Sequence, residues 1–134
     1  MMRYLLDTNI CIYLIKRRPI EVLNRFRQHS PKDIAISIIT LFELQYGVEK
    51  SQYRQKSEQA LANFLRPLNI IQMDRSSVME AASIRAKLEK KGTPIGPYDL
   101  LIAGVAKSEN MVLVTNNTKE FKRVPDLELE NWLE

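Results

Sequence analysis

Short apolar runs alternate with longer segments whose apolar residues recur every three or four positions, and this alternation constrains the fold most. Four of the short runs have the composition of buried strands: Tyr4–Leu6, Ile34–Ser37, Ile70–Ile71 and Met111–Val114. Leu127 and Leu129 alternate with acidic residues and predict a short final strand at a sheet edge. Because strands separated by helices pair in parallel, the pattern predicts an α/β fold.

The amphipathic segments between these runs predict the helices. The first helix follows Asp7, with Thr8 or Asn9 as its capping residue, and ends at about Lys16. Another spans about Ile39 to Val48. A long helix follows the third strand and has these residues on its apolar face: Val78, Ala81, Ala82 and Leu88. The last predicted helix begins at Pro97 and ends near Glu109, with Asn110 as a left-handed cap.

Length and charge limit the class of protein. A chain of 134 residues without an internal linker or repeat predicts a single domain over residues 1–134. The net charge of +4 favours an anionic partner such as nucleic acid. Cys11 is the only cysteine, so no internal disulfide forms, and a cytoplasmic location is expected. No apolar run approaches the length of a membrane span.

Three acids follow or flank the predicted strands, and each has a local explanation when taken alone. Asp7 can end a strand in an Asx turn. Glu43 follows Thr40 at the spacing of a helix capping box. Asp99 lies two residues after Pro97 and can complement a helix dipole.

Together the three acids indicate a metal site. The α/β fold places Asp7, Glu43 and Asp99 at the edge formed by the carboxyl ends of the strands, where such sheets bind ligands. Each acid is embedded in apolar sequence, where a carboxylate is costly unless a positive charge offsets it. Mg²⁺ binds a few carboxylates while retaining waters, and it promotes phosphodiester hydrolysis. The sequence therefore predicts a magnesium-dependent nuclease.

Two other kinds of phosphate chemistry are excluded. His29 is the only histidine, so a ribonuclease that uses two histidines as acid and base is impossible. The sequence also contains no glycine-rich loop of the kind that binds nucleotide phosphates.

Four segments resemble the successive motifs of PIN-domain proteins, and among them the VapC toxins of VapBC toxin–antitoxin modules. The similarity covers essentially the whole chain, in the family's order. The matching segments are Leu6–Asn9, Thr40–Leu44 followed by Tyr46 and Gly47, Ile95–Ala103, and Val114–Asn117 followed by Glu120 and Phe121.

The resemblance implies a PIN-like three-layer α/β/α sandwich around a five-stranded parallel sheet. It implies an endoribonuclease in which Asp7, Glu43 and Asp99 bind Mg²⁺, with Mn²⁺ as a substitute. A homodimer and a complex with a VapB antitoxin are expected, with DNA contacted only through the antitoxin. Relatives with a similar Ile-Gly-Pro-Tyr-Asp motif cleave initiator tRNA at the anticodon stem-loop, so tRNA is the expected substrate.

The resemblance also assigns supporting residues and reveals one departure. Thr8, Asn9 and Thr115 are expected to hydrogen-bond to the carboxylates. Many PIN domains have a fourth acid after the last long strand, where this chain has Asn116 and Asn117. An amide oxygen can bind a cation or a water but brings no charge. We therefore expect one firmly held metal, with a second ion recruited by the substrate phosphate.

Glu120 is the nearest acid to that vacant position. It can replace the missing carboxylate, although its neighbour Phe121 favours a segment that serves mainly as a docked turn.

Two other functions stay open from the sequence. One is a binding module that keeps the fold without catalysis, against which the three acids argue, because unused packed acids cost stability. The other is a DNA-directed regulator, for which the sequence offers no helix-turn-helix signature.

Overall fold

The computed structural model describes residues 3–134, so Met1 and Met2 of the predicted domain span lie outside the described residues. Five strands form one parallel sheet: β1 (Tyr4–Leu6), β2 (Ile34–Ser37), β3 (Asn69–Ile71), β4 (Val112–Val114) and β5 (Leu129–Glu130). Their order is β3-β2-β1-β4-β5, with β5 at an edge as predicted.

The strands are joined by helices, with a 3₁₀ turn at Pro31–Asp33 before β2. The helices are α1 (Thr8–Lys16), α2 (Ile20–Arg27), α3 (Ile38–Glu49), α4 (Arg54–Leu65), α5 (Arg75–Lys90), α6 (Pro97–Ser108) and α7 (Thr118–Phe121). None of the helices in residues 3–134 is long and apolar enough to cross a membrane.

Side chains alternate between the two faces of the sheet and build two apolar cores. Leu5 and Leu113 pack with α5 and α6 on one face. Leu6 and Val114 pack with α1, α2, α3 and α4 on the other face, where Cys11 is also buried. Since successive side chains of a strand point to opposite faces, strands this short and apolar require helices on both sides. The three-layer α/β/α sandwich is confirmed.

The strand register places several chain segments at one edge. Leu6 pairs with Val114, and the Asp7 amide donates to the Val114 carbonyl oxygen at 2.9 Å. Asp7 and Thr115 are thus the first residues beyond two adjacent strands. Ser37 ends β2 and caps α3, so α3 also starts from this edge.

Two local predictions were wrong. The cap of α1 is Asp7 rather than Thr8 or Asn9, because the Asp7 side chain accepts the Thr8 amide. The predicted apolar face of α5 was also partly wrong, because Val78 and Ala82 are exposed. The buried residues of α5 are Ser77, Ala81, Ile84 and Leu88.

A close contact with α6 explains that choice of face. A Cβ placed on Gly104 of α6 would lie 2.7 Å from the Ala81 Cβ and 2.9 Å from the Ser77 carbonyl oxygen. The small residues Gly104 and Ala81 let the two backbones approach, so the face that contains Ala81 turns inward. The periodicity of apolar residues in α5 cannot predict which face is buried, since it does not identify the helix that packs against α5.

We predict that Gly104→Ala destabilises the protein by about 1–3 kcal/mol, because the added methyl meets rigid backbone and Cβ atoms. Gly47→Ala in α3 is the matched control, since nothing lies within 4 Å of a Cβ there. It should stabilise the protein by about 0.5–1 kcal/mol, because glycine disfavours a helix interior. Urea denaturation of both variants measures the difference, and equal stabilities would contradict the packing argument.

Candidate active site

Asp7 is the most constrained acid of the sheet edge. Asp7 is buried, with only 4% of the residue exposed, and both of its carboxylate oxygens accept hydrogen bonds. Oδ1 accepts from the Thr8 amide at 2.7 Å, and Oδ2 accepts from the Thr115 hydroxyl at 2.8 Å. Burial raises the pKa of Asp7, the bonds from Thr115 and Thr8 oppose the rise, and the Glu43 carboxylate adds to it.

Thr8 connects Asp7 to Glu43. The Thr8 hydroxyl donates to Glu43 Oε1 at 2.6 Å and lies 3.0 Å from the Thr40 hydroxyl. Thr8 therefore serves one carboxylate with its amide and the other with its side chain. The capping-box interpretation of Glu43 was wrong, because Ser37 caps α3 by accepting the Thr40 amide at 3.1 Å.

Asp99 lies in the first turn of α6 and is partly exposed. Burial raises its pKa to about 6, and the carboxylates of Asp7, Glu120 and Glu43 contribute in that order. A helix N-terminus alone would lower the pKa of an acid. Desolvation and the neighbouring acids act in the opposite direction to the helix dipole.

Glu120 lies close enough to Asp99 to raise its pKa, so α7 carries a fourth acid to the same edge. The buried side chain of Phe121 anchors this short helix in the core. Asn117 Nδ2 donates to Glu120 Oε2 at 2.6 Å, and the Asn117 amide donates to the Thr115 hydroxyl at 2.9 Å. Asn117 thus links Glu120 to the residue that holds Asp7.

The other two predicted supporting residues lie differently. Asn116 Nδ2 donates to the Tyr13 hydroxyl at 3.0 Å. Asn9 is exposed and donates no hydrogen bond to the predicted acids. Within residues 3–134, the hydrogen bonds to those acids come from Thr8 and Thr115. The structure brings together Asp7, Thr8, Glu43, Asp99, Thr115, Asn117 and Glu120. Sequence reasoning named Glu120 only as a replacement, and its signal was its position a few residues after β4.

The charge balance of this edge is strongly negative. None of the ion pairs in residues 3–134 includes Asp7, Glu43, Asp99 or Glu120. Uncompensated carboxylate oxygens are the donors that a hard divalent cation prefers. In the described part of the chain, however, no three His, Cys, Asp or Glu side chains form a ready metal cage. The acids therefore create a negative electrostatic potential that favours a cation, although their side chains are not arranged as a set of ligands around one.

The PIN domain family model matches residues 4–127. The "tRNA(fMet)-specific endonuclease VapC" of Shigella flexneri is 42% identical over 98% of this chain and 99% of its own length. The "Ribonuclease VapC2" of Haemophilus influenzae is 45% identical over 99% of this chain and its full length. The crystal structure of VapBC2 from Rickettsia felis bound to a promoter DNA fragment has a chain that is 47% identical. That chain superposes with a TM-score of 0.92 over 98% of this chain and 99% of its own.

A parallel sheet with an acidic edge and a full-length family match define the class of protein. The chain belongs to the PIN-domain family, and within that family to the VapC ribonucleases.

We predict that the metal-free protein loses stability as the pH rises from about 4 through about 6, the folded-state pKa of Asp99. The pKa of Asp99 is higher in the folded protein than in the unfolded chain. The stability that Asp99 contributes is therefore fully present below the unfolded pKa and is lost as the pH rises through the folded pKa. Asp99→Asn should melt at a higher temperature than the wild type at neutral pH in a chelator, with a flatter pH profile. A variant that is less stable than the wild type under those conditions would contradict the repulsion among the acids.

Proposed function

We propose that this VapC ribonuclease is a Mg²⁺-dependent endonuclease whose catalytic residues are Asp7, Glu43 and Asp99, with Glu120 as a fourth acid. The observation that carries the proposal is the set of four acids at one sheet edge, none of which is ion-paired within residues 3–134. Burial and then repulsion from the other three acids raise the pKa of Asp99, and a bound cation would relieve that repulsion.

The donor set fits Mg²⁺, and Mn²⁺ as a substitute, because every candidate ligand is a hard oxygen. Asp7, Glu43 and Asp99 would hold the ion, with Glu120 beside Asp99. When bound there, a divalent cation would supply charge neutralisation at the phosphodiester and would make a bound water more acidic.

The protein's own contribution is to orient the carboxylates. The Thr115 hydroxyl and the Thr8 amide each bond one oxygen of Asp7, so that side chain has one orientation. The Thr8 hydroxyl fixes one oxygen of Glu43, and the other oxygen accepts no hydrogen bond from residues 3–134. Asn117 likewise donates a hydrogen bond that orients one oxygen of Glu120. Such partners around a metal ligand typically affect activity about tenfold to a hundredfold.

A groove beside Glu43 supports an RNA substrate. Lys16 and Lys56 line it together with Glu43 and apolar residues of α1, α3 and α4. Lysines at this position attract the phosphate backbone without sequence preference. Since the Shigella flexneri relative is named for tRNA(fMet), we propose initiator tRNA as the substrate, cut in its anticodon stem-loop.

The partners follow from the family. The Rickettsia felis structure contains a VapBC pair on promoter DNA, so we propose that this chain is the toxin of such a pair. A VapB antitoxin would neutralise it and supply the DNA contact, in an assembly that contains a toxin homodimer. This function places the protein in the cytoplasm.

We predict that Asp99→Asn lowers RNA cleavage by at least about a hundredfold, because it removes a metal-binding charge from the site. Asp7→Asn should have the same effect, and Glu58→Gln, which changes an exposed acid of α4, should cleave normally. The assay incubates purified protein with tRNA and Mg²⁺ or with a chelator, and maps the new ends. Cuts with 5′-phosphate and 3′-hydroxyl ends in the anticodon stem-loop are expected. Normal cleavage by Asp99→Asn, or undiminished cleavage in the chelator, would refute the assignment.

We also predict a stable complex with the product of a short reading frame adjacent to this gene. Co-expression should yield both chains in one size-exclusion peak, and the complex should cleave tRNA more slowly than the free enzyme. An active enzyme that neither binds nor responds to that product would contradict the toxin–antitoxin assignment while leaving the nuclease assignment intact.

A further inference from the structure

Two exposed aromatic side chains flank the acidic edge. Phe42 is 56% exposed and Tyr98 is 46% exposed. They come from different helices, yet their ring centroids are 5.7 Å apart in an edge-to-face pair with an interplanar angle of 61°. Phe42 directly precedes Glu43, and Tyr98 directly precedes Asp99. The pair is therefore tied by the backbone to two of the four acids.

Packing does not explain this exposure. Neither ring belongs to either apolar core or to the residues packed against those cores. Single exposed apolar residues are common, but two large rings that meet across helices form a surface feature. The edge-to-face contact occupies only one face of one ring, and about half of each aromatic residue stays exposed.

The aromatic surface continues along α3. Tyr46 lies one turn beyond Phe42 and is 58% exposed. Lys50 follows after another turn, and its Nζ lies 5.0 Å from the centroid of the Tyr46 ring. Residues four apart lie on one face of a helix, so Phe42, Tyr46 and Lys50 form a stripe. Aromatic rings interleaved with a cation are typical of surfaces that bind single-stranded nucleic acid.

We propose that Phe42 and Tyr98 form a stacking platform for an unpaired nucleobase next to the bond that is cut, with Tyr46 and Lys50 continuing the contact along the strand. The proposal rests on the ribonuclease function above and specifies how its substrate is held. A base in a duplex has no free face, whereas a loop nucleotide can stack on an aromatic side chain. The platform therefore selects looped or single-stranded RNA and positions its backbone beside Glu43 and Asp99.

A second copy of this chain is the rival occupant of these rings. In a twofold contact each copy presents the same patch, so the acids beside Phe42 and Tyr98 would approach their own equivalents. None of the ion pairs within residues 3–134 compensates those acids, so a second set of like charges would add to the repulsion. RNA instead offers phosphates to Lys50 and unpaired bases to the rings.

The test uses Asp99→Asn as a cleavage-deficient background and a short single-stranded RNA with 2-aminopurine at the cut site. Stacking quenches 2-aminopurine fluorescence, so binding in Mg²⁺ should lower the emission. Adding Phe42→Leu or Tyr98→Leu should abolish the quenching, whereas Phe42→Tyr and Tyr98→Phe should retain it. Ile20→Ala is the matched control, because Ile20 is also 56% exposed but lies on α2, which carries none of the four acids.

The same substitutions in the active enzyme give a second measurement. Each leucine variant should raise KM by about tenfold, the effect of losing one stacked base, with little change in kcat. The aromatic replacements should restore the wild-type KM. Since both rings are exposed, thermal melting should show that all variants fold normally.

Three outcomes would overturn the platform. The first is unchanged KM and quenching in both leucine variants while the wild type still cuts RNA in a Mg²⁺-dependent manner. The second is dissociation of a dimer in either leucine variant, measured by sedimentation, which would assign the rings to a second copy. The third, a wild-type protein that cuts no RNA with Mg²⁺, would also remove the proposed function on which the platform rests.

Discussion

The buried Asp7 carboxylate is the interaction on which the site depends. It ends β1, caps α1 and accepts hydrogen bonds from Thr8 and Thr115. Because Thr115 follows β4, the bond to Asp7 also joins the ends of two adjacent strands at the edge of the sheet. Removing this carboxylate would therefore alter a helix cap and a strand junction as well as the proposed metal site, whereas the Asp99 side chain accepts no hydrogen bond within residues 3–134.

The same edge concentrates negative charge that the fold does not neutralise. A buried carboxylate is usually paired, because an unpaired charge in a low-dielectric setting is costly. Here the fold supplies hydroxyl and amide donors to Asp7, Glu43 and Glu120, and no ion pair within residues 3–134 includes them. Those donors orient the oxygens without cancelling their charge. The unneutralised charge thus costs stability at the proposed metal site.

Much of the fold was predictable because the strands are short and almost wholly apolar. Leu5 and Leu6 face opposite cores, so β1 has no polar face that could be mistaken for a surface strand. Errors arose where a neighbour decides between local alternatives. Asp7, Thr8 and Asn9 are all good capping residues, and only the position of the β1 end selects Asp7. The buried face of α5 depends on Gly104 of α6, which follows the contacting Ala81 by more than twenty residues.

The sequence by itself determined the parallel α/β fold and the three acids beyond its strand ends, because periodicity and chain order set which residues reach the carboxyl edge. Only the tertiary structure decided that Glu120 lies near Asp99 and that Phe42 pairs with Tyr98. Glu120 reaches the acids because Phe121 docks α7 in the core, and the two rings meet because α3 and α6 leave the same edge side by side. Such proximities depend on how helices pack in three dimensions, which no local pattern in the chain records.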